Sequence, residues 1–248
     1  MIPVVVHGAE GRMGRLVTEL VSEAEDYALV GLVTETGRDR RAGAFHPRLP
    51  LVGQDRLAEV VPEGAVVVDF SLAAALDGLL AGLRAAGAAL VTGTTGHDDA
   101  QLAALREHAL GACVVRAANF SVGIPALQMV LRLLARTLPM GFQAEQVETH
   151  HRRKQDRPSG TAAVLADVWQ QERGGELPPV HSQRIGGIIG EHSWTIGDEE
   201  ETLVVTHRAN SRRAFLRGIL PAVRFARGAR PGLYSLQDVL MDLGNGGE

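Results

Sequence analysis

"VVVHGAEGRMG", residues Val4 to Gly14, runs from an apolar segment through Gly8, Gly11 and Gly14 into a helical pattern. The valines read as a strand. Met13, Leu16, Val17, Leu20 and Val21 then recur at helical spacing. The glycines between them follow G-x-x-G-x-x-G rather than the usual G-x-G-x-x-G, with the same physical consequence. Glycine allows a tight turn and lets backbone N–H groups approach a pyrophosphate at the positive end of the helix. Glu35 closes the next strand-like run, where an acid can hold the ribose hydroxyls of an adenosine. A glycine-rich turn and a solvated glutamate are the plainer alternative.

The alternation continues outward to Phe120. Strands are read in "ALVGLVTE", "AVVVDFS", "AALVTGTTG" and "ACVVRAANF", and helices in "DRLAEVV", "AAALDGLLAGLRAAG" and "DAQLAALREHA". Apolar strands alternating with helices predict a parallel sheet covered on both faces, with right-handed crossovers. Ligands of such sheets bind outside the carboxyl ends of the strands. Asp69, Phe70 and Ser71 stand at one such end, and Gly93, Thr94 and Thr95 at another. Each group taken singly is equally compatible with ordinary turn chemistry.

Beyond Phe120 the style changes. "VGIPALQMVLRLLARTL" and "TAAVLADVWQQER" read as helices, and "FQAEQVETHH" alternates like a half-exposed strand. "RIGGIIGEHSWTIGD" and "ETLVVTHRA" read as antiparallel strands joined by an acidic turn. "SRRAFLRGILPAVRFARG" reads as a helix interrupted at Pro221, and "GLYSLQDVL" as a short amphipathic tail. This predicts an α+β second domain. "GRDRRAG", around Arg38, reads as a loop.

Composition narrows the function classes. With 25 basic and 29 acidic residues among 248, the net charge of −4 points to neither nucleic acid nor an anionic membrane as partner. The single cysteine, Cys113, makes neither an intrachain disulfide nor a thiolate metal cluster, and reads as a small buried hydrophobe. "MIPVVVHG" enters a strand with no leader-like segment, and no apolar stretch reaches the roughly 20 residues of a membrane span. A cytoplasmic protein is expected.

The densest chemistry lies in "THHRRKQDRPSGTA", Thr149 to Ala162. Ser159 suits the N-cap of the following helix, which leaves the N–H groups of Gly160 and Thr161 as a seat for a carboxylate or phosphate. His150, His151 and Lys154 precede it. An imidazole and an ammonium can donate protons to a small anionic molecule held there. A solvated basic loop is the plainer reading. A metal site is disfavoured, because adjacent strand residues point to opposite faces.

The pieces "GAEGRMG", "VDFS", "GTTG", "AANFSVG", "ETHHRRKQDRPSGTA", "IIGEH", "THRANSRRAF" and "GLYSLQDVL" stand in the order found in the 4-hydroxy-tetrahydrodipicolinate reductases, also called dihydrodipicolinate reductases. The chain resembles that family from about Val4 to Leu240, and the H-H-x-x-K plus P-S-G-T-A element is its most specific part. The resemblance implies an α/β protein. A Rossmann-like parallel-sheet dinucleotide domain spans residues 1–121 and 229–248. An α+β domain with a mixed sheet, residues 122–228, carries substrate and tetramer contacts. It implies His150 as proton donor or acceptor and Lys154 as a second proton donor, with His151, Gly160 and Thr161 on the substrate's carboxylates beside Ser159. It implies dinucleotide contacts from Gly8, Ala9, Glu10, Gly11, Arg12, Met13, Glu35, Gly93, Thr94, Thr95, Ala117, Ala118, Asn119 and Phe120; Asp69 and Phe70, at their strand's carboxyl end, are counted with them.

The implied reaction is NADH- or NADPH-dependent reduction of a cyclic imine dicarboxylate in the diaminopimelate route to lysine. A homotetramer without a metal is implied, and a hinge near Phe120 to Gly123 is expected to close. Thr36 is also counted with the cofactor contacts. It stands where some relatives carry arginine, and Glu35 would repel a 2′-phosphate, so NADH use is favoured. Arg12, Arg38, Arg40 and Arg41 leave NADPH open, and the loop over 37–45 matches no motif. Another two-domain reductase, such as an aspartate dehydrogenase, would share the glycine turn without the H-H-x-x-K element. A sensor that holds NAD(H) without turnover would have no use for clustered proton donors.

Overall fold

Val4, Val5 and Val6 are all fully buried, although successive strand residues face opposite sides of a sheet. A strand buried this way needs cover above and below, and the chain supplies it with helices. In the computed structural model, which describes residues 1–35 and 45–244, internal contacts divide the chain into two units: Met1–Phe120 with Phe215–Glu248, and Ser121–Ala214. Thr36, Arg38, Arg40, Arg41 and the rest of the loop up to residue 44 lie outside the described residues.

The first unit alternates β1 (Ile2–His7), α1 (Arg12–Glu23), β2 (Tyr27–Thr34), β3 (Leu51–Gly53), α2 (Leu57–Val60), β4 (Val66–Asp69), α3 (Leu76–Ala86), β5 (Ala89–Thr92), α4 (Asp99–His108) and β6 (Cys113–Arg116). The second unit contains α5 (Gly123–Thr137), β7 (Gln143–His150), α6 (Gly160–Arg173), β8 (Val180–Arg184), β9 (Glu191–Gly197) and β10 (Thr202–Arg208). The chain then returns to the first unit with α7 (Ile219–Gly228), β11 (Gly232–Tyr234) and α8 (Leu236–Gly244).

The first sheet is seven-stranded and parallel, in the order β11-β6-β5-β4-β1-β2-β3. Its two faces bury different halves of each strand. Val4, Val6, Val66, Val68 and Val115 face Val17 and Val21 of α1, Ile219 and Val223 of α7, and Val239 of α8. Val5, Val67, Leu90 and Val114 face Leu57, Leu79, Leu80, Leu83 and Leu105. Each such side chain contributes roughly 1.5–3 kcal/mol on leaving water. The reversal of strand order between β2 and β4, on either side of β1, leaves a crevice at the carboxyl ends.

The stretch over 215–228 differs from its reading as part of the second domain. Ile219, Ala222, Val223 and Ala226 complete the apolar cover of the parallel sheet. Pro221 does not interrupt this helix. It stands in the first turn of α7, where a missing N–H costs no intrahelical bond.

The second unit carries a four-stranded mixed sheet, β10-β9-β7-β8, with β7 parallel to β8 and antiparallel to β9. The expected hairpin is β9–β10, paired from Gly197 with Thr202 and closed by Asp198, whose carboxylate accepts the N–H groups of Glu200 and Glu201. Leu127 and Leu131 of α5 and Leu165 and Trp169 of α6 bury Phe142, Ala144, Trp194 and Ile196. Among the described residues no helix is long and apolar enough to cross a membrane.

Candidate active site

The first strand–helix joint admits only glycine at two positions. Gly8 has φ +73°, and a Cβ there would stand 2.6 Å from the Phe70 carbonyl oxygen. A Cβ on Gly14 would fall 2.1 Å from the Gly8 carbonyl oxygen. The turn is closed by the Gly11 N–H on the Gly8 carbonyl, and Gly11 is the N-cap of α1, with no side chain capping the helix. The first-turn N–H groups of Arg12 and Met13 have no intrahelical acceptor. This is a turn of backbone N–H groups without a side-chain cap, and it fits a dinucleotide's pyrophosphate. Ala9 is buried beneath it, while Glu10 turns inward and accepts the Thr34 hydroxyl at 3.0 Å. Glu35 follows the end of β2 and is half-buried.

Along the carboxyl edge His7, Asp69, Thr92 and Arg116 stand beside one another in register. Asp69 is buried, and both of its oxygens are taken. Oδ1 accepts from His7 Nδ1 (2.8 Å), Ser71 N (3.1 Å) and Ser71 Oγ (2.6 Å). Oδ2 accepts from the hydroxyls of Thr92 and Thr94, both at 2.7 Å. Burial pushes the carboxyl up, but these donors, His7 foremost, outweigh it and hold the group below the usual carboxylate range. Asp69 therefore ties together the ends of β1, β4 and β5 from within. Phe70 packs edge-on against Phe120, with ring centroids 5.9 Å apart, and lies so close over Gly93 that a Cβ there would stand 2.2 Å from its ring. Thr95 and Ala118 are exposed, Asn119 is half-buried and the Ala117 N–H extends the ladder to the Thr92 carbonyl.

In the second unit, alternation along β7 buries Ala144, Gln146 and Glu148, in phase with Phe142 just before the strand. Glu148, which the sequence reading did not single out, is the hub. Its Oε2 lies 2.5 Å from His150 Nδ1, and its Oε1 accepts from Arg184 Nη2 (2.6 Å) and the Ser159 N–H (3.3 Å). Burial opposes its ionisation, but Arg184, Ser182 and His150 together leave the carboxyl below its ordinary value. The signal for it was in the strand period: Glu148 and His150 are two apart and share a face. Burial lowers His150, an effect that Glu148 partly reverses and that Lys154 and Arg184 reinforce. The His150 ring meets that of His192 edge-on at 5.4 Å.

β7 ends at His150, so His151 begins the loop, half-buried, with a buried Nδ1 that has no partner among the described residues. Lys154 donates its N–H to the His151 carbonyl (3.0 Å) and pairs through Nζ with Asp156 at 2.8 Å. The Asp156 carboxylate is held below its usual range by Lys154 first, with backbone N–H groups including that of Gly160 adding to it. Ser159 caps α6 as expected, its hydroxyl accepting the Ala162 N–H at 3.2 Å. A Cβ on Gly160 would meet nothing within 4 Å, and Thr161 is half-buried. Among the described residues no group of His, Cys, Asp or Glu could hold a metal ion, and burial pushes the Cys113 thiol up to about 11.

Residues 2–120 match the family model described as dihydrodipicolinate reductase, N-terminus, and residues 123–240 match dihydrodipicolinate reductase, C-terminus. The chain is 40% identical to the 4-hydroxy-tetrahydrodipicolinate reductase of Rubrobacter xylanophilus, over 97% of this chain and 98% of that protein. It is 38% identical to the protein of that name from Thermomicrobium roseum, over 97% and 100%. Its fold is like that of a dihydrodipicolinate reductase from Paenisporosarcina sp. TG-14, solved with dipicolinate bound, at a TM-score of 0.78, covering 96% of this chain and 99% of that one at 21% identity. With both family models matched in order and identities of this size over nearly its whole length, the chain belongs to the dihydrodipicolinate reductase family.

Proposed function

We propose a division of labour for the activity that this family carries, the NADH- or NADPH-dependent reduction of 4-hydroxy-tetrahydrodipicolinate on the way to lysine. The first unit holds the dinucleotide. Gly8, Gly11 and the N–H groups of Arg12 and Met13 take the pyrophosphate, with Ala9 and Glu10 shaping the turn and Glu35 and Thr36 at the adenosine ribose. Phe70, Gly93, Thr94, Thr95 and residues 117–120 (Ala117, Ala118, Asn119 and Phe120) line the nicotinamide end, with Asp69 holding that rim from behind. When bound, the reduced nicotinamide supplies a hydride.

The second unit, in this reading, holds the imine dicarboxylate. The N–H groups of Gly160 and Thr161, with His151, seat its carboxylates. Lys154 and His150 face the ring. Once the 4-hydroxyl has left as water, the ring is conjugated, and hydride addition at that carbon moves an electron pair through the conjugated system toward the ring nitrogen. His150 or Lys154 then gives a proton to the resulting enamine, and the remaining cations offset the charge that builds during transfer.

The observation that carries this reading is the Asp156 carboxylate. The protein's own carboxylate already pairs with the Lys154 ammonium at 2.8 Å, and the Gly160 N–H adds to holding it ionised, so the seat has the chemistry a substrate carboxylate needs. The test is absorbance loss at the reduced-nicotinamide band with freshly made imine, for wild type and Lys154→Met. We expect imine-dependent oxidation by wild type and a kcat roughly 100-fold lower in the variant. Equal rates would remove Lys154 from the chemistry. Cytoplasmic location and a homotetramer complete the proposal. Family resemblance supports both; sedimentation at working concentration checks the oligomer.

A further inference from the structure

His150 can offer substrate only one ring nitrogen, and Glu148 decides which. A carboxylate only accepts hydrogen bonds, so the contact of Oε2 with Nδ1 at 2.5 Å puts a proton on Nδ1. Nε2 is then the nitrogen that gains and loses a proton. Space in front of it is kept by Gly190, where a Cβ would stand 3.1 Å from Nε2. The other oxygen of the same carboxylate reaches two further parts of the site. Oε1 accepts the N–H of Ser159, the residue whose hydroxyl caps α6. It also accepts from Arg184 Nη2, which bonds in turn to the Asp156 carbonyl at 2.5 Å, in the loop that carries Lys154.

We propose that Glu148 is the positioning residue of this site: its one buried carboxylate fixes the histidine's tautomer and sets the start of α6 in register with it. The proposal rests on the reading of His150 as a proton donor. The charged or titratable groups facing His150 are Glu148 on its own strand, Arg184 on β8, His192 on β9 and Lys154 in the loop. Glu148 favours the imidazolium, whereas burial, Lys154 and Arg184 disfavour it. Without the carboxylate charge, His150 stays neutral to lower pH and loses its function as an acid.

Glu148→Gln tests this. Glutamine has one acceptor, and Arg184 with the Ser159 N–H claims it. Its NH2 then faces Nδ1, which must accept, and a doubly protonated ring is excluded. We expect kcat to fall roughly 100-fold, the alkaline limb of the kcat profile to move to lower pH, and the dinucleotide Kd to stay unchanged. The double variant with His150→Gln should be no slower than His150→Gln alone, since the two residues act as a unit. In wild type, the imidazole ¹⁵N resonances of neutral His150 should report the proton on Nδ1. An unmoved alkaline limb with wild-type kcat, slowing that multiplies in the double variant, or a neutral ring with its proton on Nε2 would each overturn the proposal. The resonance reading needs no variant to fold. Wild-type turnover by His150→Gln would instead sink the proton-donor reading, with the resonances still reporting on Glu148.

Discussion

Gly14→Ala tests the dinucleotide cradle through a single methyl group. At an open helical position alanine in place of glycine stabilises by about 1 kcal/mol. Here the added Cβ falls 2.1 Å from the Gly8 carbonyl oxygen and 2.8 Å from the Ala9 Cα. Both neighbours are backbone, so no rotamer change relieves the clash. The start of α1 must withdraw by about 1 Å, at the roughly 1–3 kcal/mol of an overpacked site. That withdrawal moves the first-turn N–H groups off the pyrophosphate. We expect the Kd for NADH to rise at least tenfold, about 1.4 kcal/mol, measured by titrating the fluorescence of bound NADH. Gly160→Ala is the control. It meets nothing within 4 Å in the fold, so it should leave the NADH Kd alone and raise KM for the imine, where a carboxylate must approach. A Gly14→Ala protein that binds NADH as tightly as wild type would refute the steric reasoning.

Asp69→Ala leaves the His7 ring and the Ser71, Thr92 and Thr94 donors without their acceptor, and should destabilise by roughly 3–5 kcal/mol in a denaturant titration. Ser159→Ala should cost about 1 kcal/mol through the lost cap and raise KM for the imine. His192 is buried and pushed down from 6.5 to about 4, chiefly by burial, with the neighbouring His150 adding to it. Its folded value lies below its unfolded one, so its contribution is fully present above pH 6.5 and is lost as pH falls toward 4, a change on the order of 3 kcal/mol. His192→Gln should flatten that acid limb of stability. Thr36→Arg should raise kcat/KM for NADPH relative to NADH by adding a cation next to Glu35 in the sequence, on the reading of Glu35 at the adenosine ribose; an unchanged ratio would assign selectivity to Arg38, Arg40 and Arg41.

The parallel sheet was legible because strands buried on both faces are continuous apolar runs, as in β1 and β4. β3, β8 and β11 were not. β3 and β11 are three residues each, and β8 reads Val-His-Ser-Gln-Arg, so their place comes from the partner strand rather than from their own pattern. The Ser159 cap was readable because Pro-Ser-Gly-Thr before a helical period is local chemistry. Glu148 and the inward use of Asp69 were not singled out. Glu148 shares a face with His150, which periodicity shows, but Arg184 comes from β8 and the Ser159 N–H from a turn beyond the loop. The donors around Asp69 likewise come from different strand ends, which only folding brings together.

The most direct measurement is single-turnover hydride transfer in His150→Gln, with NADH affinity determined on the same sample. An unchanged Kd together with transfer slowed about 100-fold or more is expected, since the proposed acid and the proposed dinucleotide cradle belong to different units. Transfer at the wild-type rate, or a loss of rate that merely follows a loss of NADH binding, would contradict the assignment of the acid to His150.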